Sequence, residues 1–432
     1  MDNPHVFVNW ARTHQSLSEN YFQPASEAEV VELVARAKSE GKKIRVVGTG
    51  HSWYGIVCTV EWLVKLDRLN SIVTIDTESK QVTVQAGMRL KELNEVLAEN
   101  KLALQNLGSI SEQSVAGVIS TATHGSSVHH GIMATQLLAF TLVDGNGVTH
   151  KVMPEDGDMW RARVSLGSLG IITEVTLQGC EAFDLREEAY PLTVQELDDK
   201  MLDLARENEF FKIWWFPHVG VGQAYTYNTT TDKRMNHDGF MRWLDDNFLA
   251  KYVFTLILAI GKAFPTLVPY INRFIRILKF NKEVRIDRSD RVLNVPMPPI
   301  HDEMEWSIAM EDAPKAFKQV REMIEERKLK VNFLLEIRFV QGDDCMLSPC
   351  HSRDSAYIGA YHAGKKGWKE YVEGFEEIML KLDGRPHWGK HFTFDKAAIK
   401  SMYPDLPKFN EIRSKLDPDN LFVNDFIQST II

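Results

Sequence analysis

Cysteine is scarce. Cys58, Cys180, Cys345 and Cys350 are the whole supply in 432 residues, and no CxxC pair occurs. That excludes a disulfide framework and a cysteine-built zinc site. Basic excess is lacking too: 50 Lys and Arg face 59 Asp and Glu, a net charge of −9. Without surplus cations to neutralise phosphates, general nucleic-acid binding is disfavoured. The opening MDNPHVFVNW shows no basic-then-apolar leader, so no cleaved signal peptide is expected. Neither GxGxxG nor a P-loop is present, and there is no internal repeat or low-complexity tract. What remains is 44% hydrophobic and 25% charged. That is the balance of a soluble, intracellular-looking globular chain, long enough for two or three domains.

The pattern divides along the chain. Ser26 and Glu29 have capping-box spacing before a helix carried by Val30, Val31, Leu33, Val34 and Ala37, and Gly41 ends it. Lys43–Val47 reads as a strand running into GTGHSW. Residues 63–66, 72–76, 81–86 and 169–178 read as further strands, with a helix over 89–99. Asp144-Gly145-Asn146-Gly147 predicts a hairpin turn inside 136–152. Beyond residue 180 the pattern changes. Residues 184–230 mix strands with a helix, and 242–280 are helical and apolar. Residues 304–312, 331–340 and 355–362 alternate like strands, with a helix over 314–328. An antiparallel sheet covered by helices is expected there. KLDPDNLF, within 404–426, reads as a helix end, a turn and a closing tail.

Two small-residue segments carry the first chemical signal. Gly48-Thr49-Gly50-His51-Ser52 follows a strand, and its backbone N–H groups suit a pyrophosphate. By itself a GxG turn is common. The second segment, LGSISEQSVAGVISTATHG over 107–125, has Gly108, Ser109, Ala116, Gly117, Ala122 and Gly125. Small side chains let a backbone approach a flat ligand closely. Ser109, Ser114, Thr121 and Thr123 add hydroxyls. His124 alone reads more readily as a hydrogen-bonded core histidine.

GTGHSW, LGSISEQSVAGVISTATHG and SLGIITEVTL resemble the FAD-binding domain of the vanillyl-alcohol oxidase type. EIRF, LSPC, RDS, RPHWGK and IRSKLDP resemble the aldonolactone oxidases of that type. The likeness runs in order over nearly the whole chain. It implies an α+β fold of two domains. An FAD-binding domain would span 1–180, completed by 405–432, and an α+β substrate-binding cap would span 181–404. It implies FAD bound covalently through its 8α-methyl carbon to His51. The matched cofactor positions are Gly48, Thr49, Gly50, His51, Ser52, Trp53, Gly108, Ser109, Ser114, Gly117, Thr121, His124, Gly125 and Ile171. An imidazole substituent would raise the flavin's reduction potential. Glycine rather than alanine at 108 resembles the pattern that admits oxygen.

In VNFLLEIRFVQ, alternation puts Glu336 and Arg338 on one sheet face and Leu335 and Ile337 on the other. Charges in an apolar strand need a reason for burial. A structural ion pair is one reading. Under the resemblance they are catalytic, binding substrate hydroxyls and stabilising developing negative charge. In RPHWGK, Lys390 is the third catalytic position, and Trp388 shields the site from water. His387 and His391 are acid–base candidates by chemistry alone. Tyr361 and His387 complete the expected substrate contacts, and no metal is expected. Gly359 and Tyr361 stand where alditol oxidases carry His and Thr, which favours a ring over a linear polyol.

The implied reaction is oxidation of an aldono-1,4-lactone, gulono-lactone first, at C2. It gives ascorbate after tautomerisation, with O2 reduced to H2O2. The alternatives are a dehydrogenase passing electrons to a cytochrome, an oxidase of a related sugar or polyol, and a flavin- or sugar-binding protein without turnover. The apolar stretch 248–280 is interleaved with Lys251, Lys262, Arg273, Arg276 and Lys279. It is too short and broken for a single crossing, which needs about 20 apolar residues. It fits an interfacial helix on an anionic membrane, or a helix buried in the cap. The expected location is cytoplasmic, or peripheral on an internal membrane (the endoplasmic reticulum for an animal-like source). Oligomeric state leaves no mark in the sequence.

Overall fold

The computed structural model describes residues 3–235, 252–296 and 298–432. The first helix, Glu27–Glu40, is built as its caps dictate. Ser26 Oγ accepts the Glu29 N–H at 3.1 Å, and Gly41 closes the end at φ 63°. Its buried stripe is Val30, Leu33, Val34 and Ala37. Beside it, Trp62–Lys65 lies between Asn20–Phe22 and Ile44–Val47 in a parallel sheet. A five-stranded antiparallel sheet follows, ordered Thr149–Val152, Leu137–Val143, Ile171–Gln178, Gln81–Gln85, Ile72–Asp76. The Asp144 carboxylate accepts the N–H groups of Asn146 and Val148 and so closes the DGNG turn.

The second half is built on an eight-stranded antiparallel sheet. Its order is Glu283–Arg288, Asp184–Thr193, Val221–Thr230, Phe210–Trp215, Leu335–Val340, Ser355–His362, Asp302–Ala309, Arg385–Pro386. Period-two alternation gives it two unlike faces. Ile213, Trp215, Leu335, Ile337, Phe339, Ile358, Met304 and Trp306 are buried on one face. The helices Val194–Glu207, Ala313–Glu326 and Trp368–Leu380 pack on the sheet's strands. The other face carries Lys212, Glu336, Arg338, Tyr357, Tyr361, Glu303 and Glu305, and it faces the first half. Register aligns them in rows: Lys212 pairs with Arg338 and Arg338 with Tyr357, while Glu336 pairs with Gly359 and Gly359 with Glu305.

The last segment returns to the first half. Ile44 N–H donates to Leu421 O at 2.8 Å, and Asn424 Nδ2 reaches the carbonyls of Gly55, Ile56 and Cys58. The buried Arg45 guanidinium donates to Leu166, Gly167 and Phe422 carbonyls. The closing tail is a helix, Asp425–Thr430, capped by Asn424. Two expected strands are shorter than read. Residues 331–334 stay outside the sheet because the Asn332 side chain takes over a backbone's role, pairing with both N–H and O of Ala363. Met310–Asp312 is a 3₁₀ turn leading into the following helix.

Of the apolar stretch, residues 248–251, with Lys251, lie outside the described residues, as do 242–247. From Tyr252 the chain gives the helices Phe254–Ala263 and Val268–Lys279. The two apolar segments bend by 117° between them. Among the described residues no single helix is long and apolar enough to cross a membrane. Leu258, Val268, Asn272 and Ile275 face inward. Asn272 Nδ2 donates to the Pro217 and Val331 carbonyls, which pins the pair to the cap. Tyr252, Leu256, Phe264, Tyr270, Phe274 and Ile277 face outward, each more than half exposed.

Candidate active site

A cleft opens between the two sheets of the first half. Gly48, Thr49, Gly50, His51 and Ser52 form one wall, Ser114, Gly117 and Thr121 a second, and Ile171 a third. The walls are bare because the packing demands it. A Cβ on Gly48 would lie 2.5 Å from Ser114 Oγ, and one on Gly117 2.9 Å from the same atom. Gly50 adopts φ 73°, open to glycine at no cost. The cleft fits a long phosphate-bearing ligand with a flat ring.

His51 stands at its end, with the Trp10 ring 6.0 Å away. Burial lowers its pKa to about 4, and Lys390 and Arg89 add to this against Glu112. At neutral pH it is therefore a neutral imidazole with a free lone pair. That is the form able to bond to carbon.

The other predicted cofactor positions lie off this cleft. Trp53 turns toward the cap. Its N–H donates to Gly389 O, its indole donates to His301 O, and Lys390 Nζ lies 4.0 Å above its ring. Gly108 is packed under Thr123, where a Cβ would meet the Thr123 methyl at 2.8 Å, and Asn294 holds its carbonyl. The Ser109 carbonyl accepts the Val295 N–H. A Cβ on Gly125 would meet Asn106 Oδ1 at 2.0 Å. His124 is buried and stacks on Tyr357 at 3.7 Å, against the cap sheet.

The polar sheet face meets the end of the cleft. Glu336 is held from both sides: Trp214 Nε1 donates to Oε1 at 2.6 Å and Tyr361 Oη to Oε2 at 3.0 Å. Arg338 Nε lies 3.5 Å from Glu336, and its Nη2 is bonded to Glu305. Burial opposes the Arg338 charge, but Glu305 and Glu336 outweigh it and keep the guanidinium firmly protonated. Burial likewise opposes the Glu305 charge, and Arg338 with His124 holds its pKa well below the usual range. Lys390 pairs with the buried Glu303 at 2.5 Å. His387 is also buried, and burial, with His124, Lys390 and Arg338 nearby, pushes its imidazole down to about 3. Its Nδ1 accepts the Gly389 N–H. Trp388 is fully buried and anchored to Leu347 O. His391 lies among Tyr54 and Trp368.

Glu303, Glu305, His301, Trp214 and Lys212 were not singled out in the sequence. The signal for the first two was present: in DEMEWSIA, Glu303 and Glu305 alternate with Met304 and Trp306, as Glu336 and Arg338 alternate with Leu335 and Ile337. Several buried atoms here have no hydrogen-bond partner: His124 Nε2, His301 Nε2, Glu303 Oε1, Glu305 Oε2 and Arg338 Nε. Buried polar atoms are rarely left so, and a cluster of them marks where a polar ligand binds. His124, Glu305 and His387 place ligand atoms within 4.8 Å of one another. A metal ion there would sit against the Arg338 charge, and His387 Nδ1 is already taken.

The comparisons agree with this architecture. Residues 18–153 match the model of an FAD-binding domain, and residues 175–430 match the model of D-arabinono-1,4-lactone oxidase. The L-gulonolactone oxidase of Bos taurus is 36% identical over 430 residues, covering 98% of this chain and 97% of that one. The L-gulono-1,4-lactone dehydrogenase of Mycobacterium tuberculosis is 30% identical over 426 residues, covering 99% of each. The crystal structure of cholesterol oxidase from B. sterolicum superposes with a TM-score of 0.86 at 17% identity, over 100% of this chain and 97% of that one. The fold is thus the two-domain, FAD-binding α+β architecture expected from the motifs. With more than half its length inside one family model and full-length relatives above 30% identity, the chain belongs to the D-arabinono-1,4-lactone oxidase family of FAD-binding proteins.

Proposed function

We propose that the protein is an FAD-dependent aldonolactone oxidase acting on the C2 hydroxyl of an aldono-1,4-lactone, L-gulono-1,4-lactone first. The observation that carries this is the polar sheet face at the end of the cleft, where Glu336, Arg338 and Lys390 converge in an otherwise apolar interior. FAD is the cofactor, and the bare cleft walls and neutral His51 fit it. Gly48 to Ser52, Ser114, Gly117, Thr121 and Ile171 would hold it, with His51 as the covalent anchor. The cofactor half is read as 1–180 with 405–432, and the cap as 181–404. Support comes from the bonds that tie residues 421–424 to residues 44–58.

When bound, FAD would supply the two-electron acceptor. The chain's own residues do the rest. Glu336, oriented by Trp214 and Tyr361, accepts hydrogen bonds from ring hydroxyls. Arg338 stabilises negative charge developing on the substrate oxygen. Lys390, held by Glu303, would supply a second cation to the reacting hydroxyl. Trp388 and the packed rings around it exclude water. The ketolactone product tautomerises to the enediol of ascorbate, and O2 is the acceptor that regenerates the enzyme.

The test is anaerobic flavin bleaching over gulono-, galactono- and arabinono-1,4-lactones. Rapid bleaching by at least one is expected. No bleaching by any would leave only the reading of a binding protein without turnover. Hydrogen peroxide formation against dye or cytochrome reduction then separates oxidase from dehydrogenase. A further element of the reading is peripheral binding to an anionic membrane surface through the helices Phe254–Ala263 and Val268–Lys279. Its support is the run of exposed Phe, Tyr, Leu and Ile side chains interleaved with Lys262, Arg273 and Arg276. On this reading the protein lies in the cytoplasm, resting on an internal membrane.

A further inference from the structure

Oxidising a carbinol releases a hydroxyl proton, and a positioned base that takes it contributes about 10²–10⁴-fold in rate. The inference below rests on the aldonolactone reading and names where that proton goes. Three buried histidines surround the polar face, and their neighbours fix their tautomers. His387 Nδ1 accepts the Gly389 N–H at 2.9 Å, so its proton sits on Nε2 and it can only donate there. His301 Nδ1 lies 2.7 Å from Pro299 O, and His124 Nδ1 lies 2.9 Å from Gly125 O. A carbonyl only accepts, so these two carry their protons on Nδ1.

In their neutral forms both then present a bare Nε2 lone pair, buried and without a hydrogen-bond partner. Each faces a carboxylate oxygen at 3.5 Å: His301 faces Glu303, and His124 faces Glu305. Two acceptors face each other across a dry gap, an arrangement that a proton between them would satisfy. The couples differ at their far ends. Glu305 leads to Arg338, whose guanidinium does not release a proton in proteins. Glu303 leads to Lys390, whose ammonium can. Of the two, the second alone is a path a proton can travel.

We propose that Lys390, Glu303 and His301 form a proton relay in which His301 Nε2 is the terminal acceptor of the substrate's hydroxyl proton. One proton leaves Lys390 Nζ for Glu303 Oε2, and the carboxyl passes a proton to His301 Nε2. The neutral amine then takes the proton of the C2 hydroxyl. The substrate O–H bond breaks, an Nε2–H bond forms, and Lys390 ends as it began. No electrons move along the relay; the electron pair leaves C2 with its hydrogen to the bound FAD. Lys390 is the catalytic group, and Glu303 and His301 are positioning residues acting through it. The rings of Phe333, Tyr361, Trp53 and Trp10 surround His301 at 4.9 to 5.6 Å and keep the path dry. The titratable groups facing it are Glu303 and Asp302 on its own segment, Lys390 across the site and Tyr361 on the paired strand.

The experiment has two readouts on the intact holoenzyme. With ¹⁵N-labelled histidine, resting His301 is expected as the neutral Nδ1–H tautomer. It should become an imidazolium after anaerobic reduction by L-gulono-1,4-lactone. Replacement His301→Gln should slow anaerobic reduction about 100-fold and flatten the low-pH limb of its rate profile. In His301→Gly, added imidazole should restore part of the rate. A wild type that bleaches alongside a His301→Gln variant within threefold and unchanged in pH profile overturns the relay alone. A wild type that no lactone bleaches overturns the aldonolactone reading instead. An Nε2–H resting tautomer overturns the relay whatever the turnover.

Discussion

Arg338 shows how far a residue's role depends on what it touches. Its guanidinium is bonded to the buried Glu305 and lies beside Glu336. Arg338→Ala therefore removes the charge proposed to act in catalysis and strands a carboxylate in the interior. We expect anaerobic flavin reduction to fall at least about 100-fold. Stability in urea should fall by about 3–5 kcal/mol, the usual cost of breaking one side of a buried pair. The double replacement Arg338→Met with Glu305→Gln should recover most of the stability and none of the reduction rate. Recovery of both would remove Arg338 from the chemistry. The sequence made Glu336 and Arg338 legible because two charges alternate with leucine and isoleucine in one short strand. Glu305 was not legible as their partner, because it arrives through the register of two other strand pairings. His51 was legible from its motif, and its neutrality only from burial. His51→Ala should leave the flavin releasable by acid precipitation; yellow colour retained in the pellet would refute the covalent link.

Elements followed local pattern where the signal was local. The Ser26 cap and the DGNG turn formed as their side chains dictate, whereas Glu29 completes no reciprocal box, because its carboxylate accepts the Ala25 N–H and not that of Ser26. The parallel pairing of Trp62–Lys65 with both neighbours was not readable, since nothing local fixes which strands meet. The helix Trp368–Leu380 illustrates a cost invisible in sequence. Its Glu376 is buried and accepts the backbone N–H and hydroxyl of Thr393, and burial raises its pKa to about 7. Below pH 4.5 the carboxyl is protonated folded and unfolded alike. Between pH 4.5 and 7 the unfolded chain ionises first, so the native state holds more protons and stability falls as pH rises. The loss amounts to at most about 3 kcal/mol, complete above pH 7. Glu376→Gln should thus raise the urea midpoint at pH 8 and change it little at pH 4.5. An equal effect at both pH values would show that the carboxyl is not the cause.

At the scale of the whole molecule, net charge and surface character point in opposite directions. The chain carries −9 overall, which repels an anionic surface. Yet the outward side of the helices Phe254–Ala263 and Val268–Lys279 concentrates exposed Leu256, Phe264, Tyr270, Phe274 and Ile277 beside Arg273. Local attraction can win, because charges more than a Debye length away, about 8 Å at physiological salt, are largely screened. The inward side meets the wall of the active site: Phe254 packs on Phe333, and Phe333 stacks on Tyr361, which holds Glu336. Binding would thus place the polar face close to the membrane while leaving its residues intact. The purified protein should float with vesicles containing phosphatidylserine and not with neutral phosphatidylcholine vesicles. Phe274→Glu with Ile277→Glu should abolish flotation and leave anaerobic reduction by lactone in solution unchanged, because both side chains are more than half exposed on the outward side of the helix. Flotation that survives the double replacement would place the contact elsewhere. No flotation of the wild type on anionic vesicles would overturn the membrane reading.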